Sequence, residues 1–107
     1  METLKKVAYD SNTGIIVLEP ENIEVLASVY KLTDFDPTIG SELLALKALC
    51  ATFVTDIRFI VYLTSNDTLY IEQADKVSAI KVVSELDPAD ETLVRSLITS
   101  CTNLINI

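Results

Sequence analysis

Four acids have the residue type and spacing that could do chemistry. Asp34 and Asp36 are followed fifty-one positions later by Glu85 and Asp87. Two carboxylate pairs suit a hard cation such as Mg²⁺ or Ca²⁺, or a general acid working beside a general base. The second acid of each pair stands directly before a proline, in Asp36-Pro37 and Asp87-Pro88. That is the pattern of a helix N-cap, in which the aspartate accepts from orphan amides and the proline has no amide to orphan. Capping explains both aspartates without a ligand, and Asp34 and Glu85 then read as solvated loop residues. The sequence therefore predicts no catalytic residue, no metal site and no cofactor.

Other site chemistries find less support. The chain has no histidine, so nucleophilic catalysis of the Ser-His or Cys-His type lacks its base. Its two glycines, Gly14 and Gly40, are isolated, which leaves no glycine-rich cradle for a phosphate. Cys50 and Cys101 lie in apolar helical stripes without a basic neighbour to stabilise a thiolate, so they read as small buried apolar groups. Glu19, Glu21 and Glu24, with counterparts Glu72 and Asp75, concentrate negative charge where a hairpin feeds a helix. Such a cluster can dock a basic partner or imitate phosphates, although acids at a helix start are more ordinarily a solvated first turn.

Composition narrows the class further. At 107 residues, half of them apolar, the chain can bury one core and form one domain without metal or disulfide. Sixteen acids against eight bases give a formal charge of −8, which argues against direct binding of nucleic acid through its phosphates. No run of eighteen uncharged apolar residues occurs, and the N-terminus lacks the apolar core of a signal peptide. A soluble, cytoplasmic protein with no membrane association is the expectation.

Leu4 to Tyr9 and Ile15 to Leu18 read as a hairpin closed at Asp10 to Gly14. Ile23, Leu26, Ala27 and Tyr30 recur at three- and four-residue spacing and predict a helix from Pro20 to about Leu32. A second helix begins at Pro37, or after Gly40 with Ser41 as its cap, and is apolar on nearly every side from Leu43 to Val54, which implies burial on several sides or an oligomer interface. Ile57 to Leu63 is apolar on both faces and suits a central strand or an interface strand; Leu69 to Ile71 returns after a turn at Ser65 to Asp67. A third helix is predicted over Ala74 to Leu86 from Val77, Ile80 and Val83, and a fourth from Pro88.

The expected order is thus ββααββαα. Aligned at fifty-one, Leu18–Val54 and Leu69–Ile105 share six identities, while the hairpins align at fifty-four, with Val7, Ser11 and Asn12 meeting Val61, Ser65 and Asn66. We therefore expect an α+β single domain, residues 1–107, holding a tandem ββαα repeat (about 4–54 and 57–107). The two units share one core about a pseudo-twofold axis, with antiparallel hairpins and helices largely on one side.

With catalytic groups missing and apolar surface in excess on the second helix and third strand, the expected function is non-enzymatic. It is that of a small acidic protein-binding module (adaptor, inhibitor or chaperone-like), acting as a homodimer or with a basic protein partner. The alternative is an acidic nucleic-acid mimic that inhibits a DNA- or RNA-binding protein, of viral or plasmid type. The expected partner-binding residues are Leu43, Leu46, Phe53, Phe59, Glu19, Glu21 and Glu24.

Overall fold

The computed structural model describes residues 3–22, 24 and 26–105. Its elements are β1 (Leu4–Asp10), β2 (Ile15–Pro20), β3 (Ser28–Lys31), α1 (Pro37–Ala51), β4 (Ile57–Leu63), β5 (Thr68–Gln73), β6 (Lys76–Val82) and α2 (Pro88–Ile105). A one-turn 3₁₀ helix precedes each α-helix, at Leu32–Asp34 and Val83–Glu85. All six strands form one antiparallel sheet in the order β3-β2-β1-β4-β5-β6. The α+β class holds, and the two hairpins share a sheet through the central β1–β4 pair.

The ββαα order does not hold. Where helices were expected at Pro20–Leu32 and Ala74–Leu86, the chain makes edge strands β3 and β6. Ile23, one of the residues that suggested the first of these helices, lies outside the described residues. The error at β6 has a physical source. Ala79 pairs with Ile71 and Val77 with Glu72, so Ser78 is an extra residue on β6. This bulge turns Val77 and Ile80, three apart, toward one face of the sheet, and spacing of three is what a helix would also show. The β-branched Val77, Ile80, Val82 and Val83 were the better signal.

The register also corrects the hairpin alignment. β4 starts and ends fifty-three positions after β1, from Leu4 to Ile57 and from Asp10 to Leu63, and β5 follows β2 by the same interval. At fifty-four, buried Val7 would match half-exposed Val61; at fifty-three, buried Val7, Tyr9, Ile16 and Leu18 match buried Ile60, Tyr62, Leu69 and Ile71. A one-residue slip exchanges the faces of a strand, so only one of these alignments preserves the core. From the 3₁₀ turns onward the interval is fifty-one: Leu43, Leu46 and Cys50 match Val94, Leu97 and Cys101, all buried.

Both helices cover the same sheet face. One cluster contains Leu4, Val7, Tyr9, Ile16, Leu18, Ile60, Tyr62, Leu69 and Ile71 from the strands, and Ile39, Leu43, Leu46, Cys50, Val94, Leu97 and Cys101 from the helices. Since strand side chains alternate, the residues between these belong to the opposite face, where no described helix lies. Helix α1 buries a single stripe, Ile39, Leu43, Leu46 and Cys50, and leaves Leu44 half exposed, rather than being enclosed on several sides.

Each hairpin is fastened to the other half by matching bonds. The Ser11 hydroxyl donates to the carbonyls of Ile57 and Arg58, and the Thr64 hydroxyl to those of Leu4 and Lys5. The amide of Leu32 donates to Gly14 O at 2.7 Å and that of Val83 to Asp67 O at 2.9 Å. Gly14 and Asp67, fifty-three apart, both have positive φ, +70° and +52°. Glycine adopts that backbone without cost and aspartate tolerates it in turns.

Candidate functional site

Two of the four carboxylates of the sequence reading, Asp34 and Asp36, close local turns. Asp36 Oδ1 accepts from Thr38 N at 2.9 Å and Ile39 N at 3.1 Å, as an N-cap does. Asp34 Oδ2 accepts the Lys31 amide at 3.0 Å and so closes the preceding turn. The backbone carbonyl of Asp87 accepts the Glu91 amide at 2.9 Å at the start of α2. Among the described residues no three Asp, Glu, Cys or His side chains are grouped to hold a metal.

The structure scatters the expected partner-binding residues. Leu43 and Leu46 lie in the core, so they support the sheet rather than meet another molecule in this conformation. Phe53 follows α1 and is half buried, with Lys81 Nζ 4.7 Å from its ring centroid. Glu19 sits on β2 within 3.8 Å of Lys5 Nζ. Glu21 accepts from the Thr3 hydroxyl at 2.8 Å, and the Glu24 amide donates to Asn22 Oδ1. The last two belong to the β2–β3 connection and not to a helical first turn. Phe59 alone of the four apolar candidates stands on the uncovered sheet face, between Asp10 and Glu72 in register.

That face carries an apolar row which sequence reasoning missed. Cross-strand pairing aligns Val29, Val17, Ala8, Val61, Tyr70 and Ile80, one from each strand from edge to edge. Val29 is 65% exposed and Ile80 59%, and the four between them are half buried only by their neighbours. The row on one side reads Lys31, Ile15, Asp10, Phe59, Glu72, Val77; the other side offers Glu19, Lys6, Leu63, Thr68, Val82 on β2, β1, β4, β5 and β6. Lys6 and Lys31, with the Arg58 guanidinium 5.1 Å from the Phe59 ring centroid, offset Asp10, Glu19 and Glu72, although the whole chain carries −8. The negative excess therefore resides elsewhere, on helices and loops. The signal in the sequence was the outward alternation Phe59-Val61-Leu63; the row itself needs the register of six strands, which no single segment displays.

Polar detail concentrates on the opposite side. Tyr62 OH donates to Asp67 Oδ1 at 2.6 Å, while Arg95 spans Asp67 at 2.9 Å and Glu91 at 3.0 Å, which ties the second hairpin to α2. Burial raises the Tyr62 phenol, helped by the bond to Asp67 and its charge and opposed by Arg95. Both cysteines are free and buried. Burial pushes each thiol up to about 12, with the Glu42 carboxylate adding to the rise at Cys101. They are protonated, inert groups at neutral pH. Glu42 itself lies between the helices: Oε1 accepts from Ser96 Oγ at 3.1 Å, and Oε2 is buried with no hydrogen bond among the described residues.

Fold and surface define a class, a two-layer α+β domain with helices on one sheet face and an apolar row on the other. No protein-family model, curated protein or solved structure is significantly similar to the chain. No described helix is long and apolar enough to cross a membrane.

Proposed function

We propose that this chain is a non-enzymatic, acidic protein-binding module of adaptor, inhibitor or chaperone type that works as a homodimer. The observation that carries the reading is the uncovered sheet face. Contiguous apolar patches beyond a few hundred Å² are rare on monomeric proteins and mark interaction surfaces. Here the patch lies on the most regular part of the fold, so its shape is preorganised and little ordering entropy is spent on docking.

The module is two related βββα units about a pseudo-twofold axis between β1 and β4, near the Ala8–Val61 pair. Support comes from the repeated element bounds, from the hydroxyl bonds that Ser11 and Thr64 send across the β1–β4 pair, and from the two positive-φ turns. One such unit would own three strands and one helix, too little to enclose a core, which explains why the units are fused through a continuous sheet.

Sedimentation equilibrium of the full chain over a wide concentration range tests the reading. The expected mass is twice 11.8 kDa at the upper end. A mass of 11.8 kDa throughout would remove the homodimer and leave the apolar face without a role.

A further inference from the structure

We infer that the occupant of the uncovered face is a second copy of this chain, docked face to face by a twofold axis that runs along the apolar row. The inference rests on the homodimer reading and adds a specific register. A rotation about the row places each of its residues on itself and exchanges the two flanking rows within each strand. Asp10 then meets Lys6 of the second copy, and Lys6 meets Asp10 of the second copy. Phe59 meets Leu63, and Val77 meets Val82. These matches follow from cross-strand register alone.

The alternative axis, along the strands, lays β1 on β4 of the other copy. Asp10 would then face Phe59, Lys6 would face Leu63, and Lys31 would face Val77. Each of these buries a charge against an apolar side chain, which costs free energy without a partner to offset it. The row axis avoids all three. Its poorer matches are Ile15 against Glu19, which already has Lys5 beside it, and Glu72 against Thr68.

Two further observations favour a second copy over a basic partner. The face is close to electroneutral on a strongly acidic chain, so a cationic protein would be drawn to the helices and loops instead. Among the described residues neither Lys6 nor Asp10 forms an ion pair within the chain; Asp10 Oδ1 accepts the Asn12 amide at 2.9 Å, which holds that carboxylate at the hairpin turn. Six strands about 4.8 Å apart and a patch about five residues deep give a footprint of roughly 400 Å², at the small end against the ~800 Å² that each partner of a standard interface buries. Sheets stacked face to face cross at about −30°, which shifts side chains two residues from the axis by only a few Å, within the reach of a lysine.

Charge exchange tests the register. Lys6→Glu sets two carboxylates together at two symmetric places, and Asp10→Lys sets two ammonium groups together. Each single variant is expected to weaken dimerisation at least tenfold in sedimentation equilibrium. The double variant Lys6→Glu/Asp10→Lys is expected to recover most of that loss, with unchanged circular dichroism throughout. Singles that dimerise as the parent does, or a double that stays as weak as the singles while the parent remains dimeric, overturn the register and leave the homodimer standing. A monomeric parent overturns both.

Discussion

The two faces of the sheet are built by the same strands and differ by one residue in phase. On the covered face Ile16, Leu18, Leu69 and Ile71 have no exposed surface, and both helices close over them. On the other face Val17 and Tyr70, their immediate neighbours, keep contact with solvent, and Val29 and Ile80 are more than half exposed. Apolar side chains therefore line both faces, while the described helices cover only one. The difference separates two roles: one face holds the domain together, and the other is the one we propose for association. Each expected effect below discriminates between these roles.

The largest effect should come from opening the covered face. Leu97→Ala or Ile71→Ala removes a fully buried side chain from between sheet and helices. Losses of about 2–5 kcal/mol are expected in urea denaturation, as for other large-to-small core changes. Val61→Ala, at the centre of the open row, should cost well under half of that in a dilute, monomeric sample. Equal losses at the two sites would mean that the faces are not distinct in function.

Alkaline pH should expose the same contrast without a mutation. In the unfolded chain the thiols ionise near their ordinary value of 9.0; in the native protein burial holds Cys50 and Cys101 at about 12. Between those limits the unfolded state sheds protons that the native state keeps. Stability is therefore complete below pH 9 and falls as pH rises toward 12. The raised phenols of Tyr9 and Tyr62, also on the covered face, act with the same sign. Urea midpoints from pH 8 to 11 should decline, and the double variant Cys50→Ala/Cys101→Ala should decline less steeply. At pH 8 a thiol reagent should label the native protein only at the rate at which it opens.

A cap should matter less than the core. Asp36→Ala deprives the amides of Thr38 and Ile39 of their acceptor, and about 0.5–2 kcal/mol of stability should be lost in the same urea assay. Dimer mass should be unchanged, since the cap lies on the helix side of the molecule. This was the part of the fold most legible in the sequence, because Asp-Pro before an apolar stripe has one dominant meaning. The strands of each hairpin were legible for the same reason: β-branched runs end at turn residues.

The remainder was hidden by features that act across the sheet. A bulge at Ser78 put Val77 and Ile80 on one face, and their spacing imitated a helix. The identities Leu18/Leu69 and Glu21/Glu72 carried the interval of fifty-one back into β2, but the interval changes between β2 and β3, so Leu18 corresponds to Ile71 and Glu19 to Glu72. The candidate site was legible only in outline. Ile57–Leu63 reads as apolar on both sides, yet Leu43 and Leu46, expected among the partner-binding residues, are turned inward by the helix. Periodicity identifies the apolar stripe of a helix, whereas which stripe meets the sheet is decided by tertiary packing.

The smallest effect is also the most diagnostic of the two faces. Val17→Thr keeps the branched shape that a strand favours and adds one hydroxyl to the open row, so the monomer should change by less than about 0.5 kcal/mol. In the proposed dimer the same hydroxyl would be placed against its symmetry mate in a desolvated row, and association should weaken. Because a dimer stabilises the fold by mass action, the parent should melt higher as its concentration rises. The variant should match the parent at low concentration and fall behind it only at high concentration. A core change such as Leu97→Ala shifts both ends of that series, so divergence confined to the concentrated end assigns Val17 to association and not to folding.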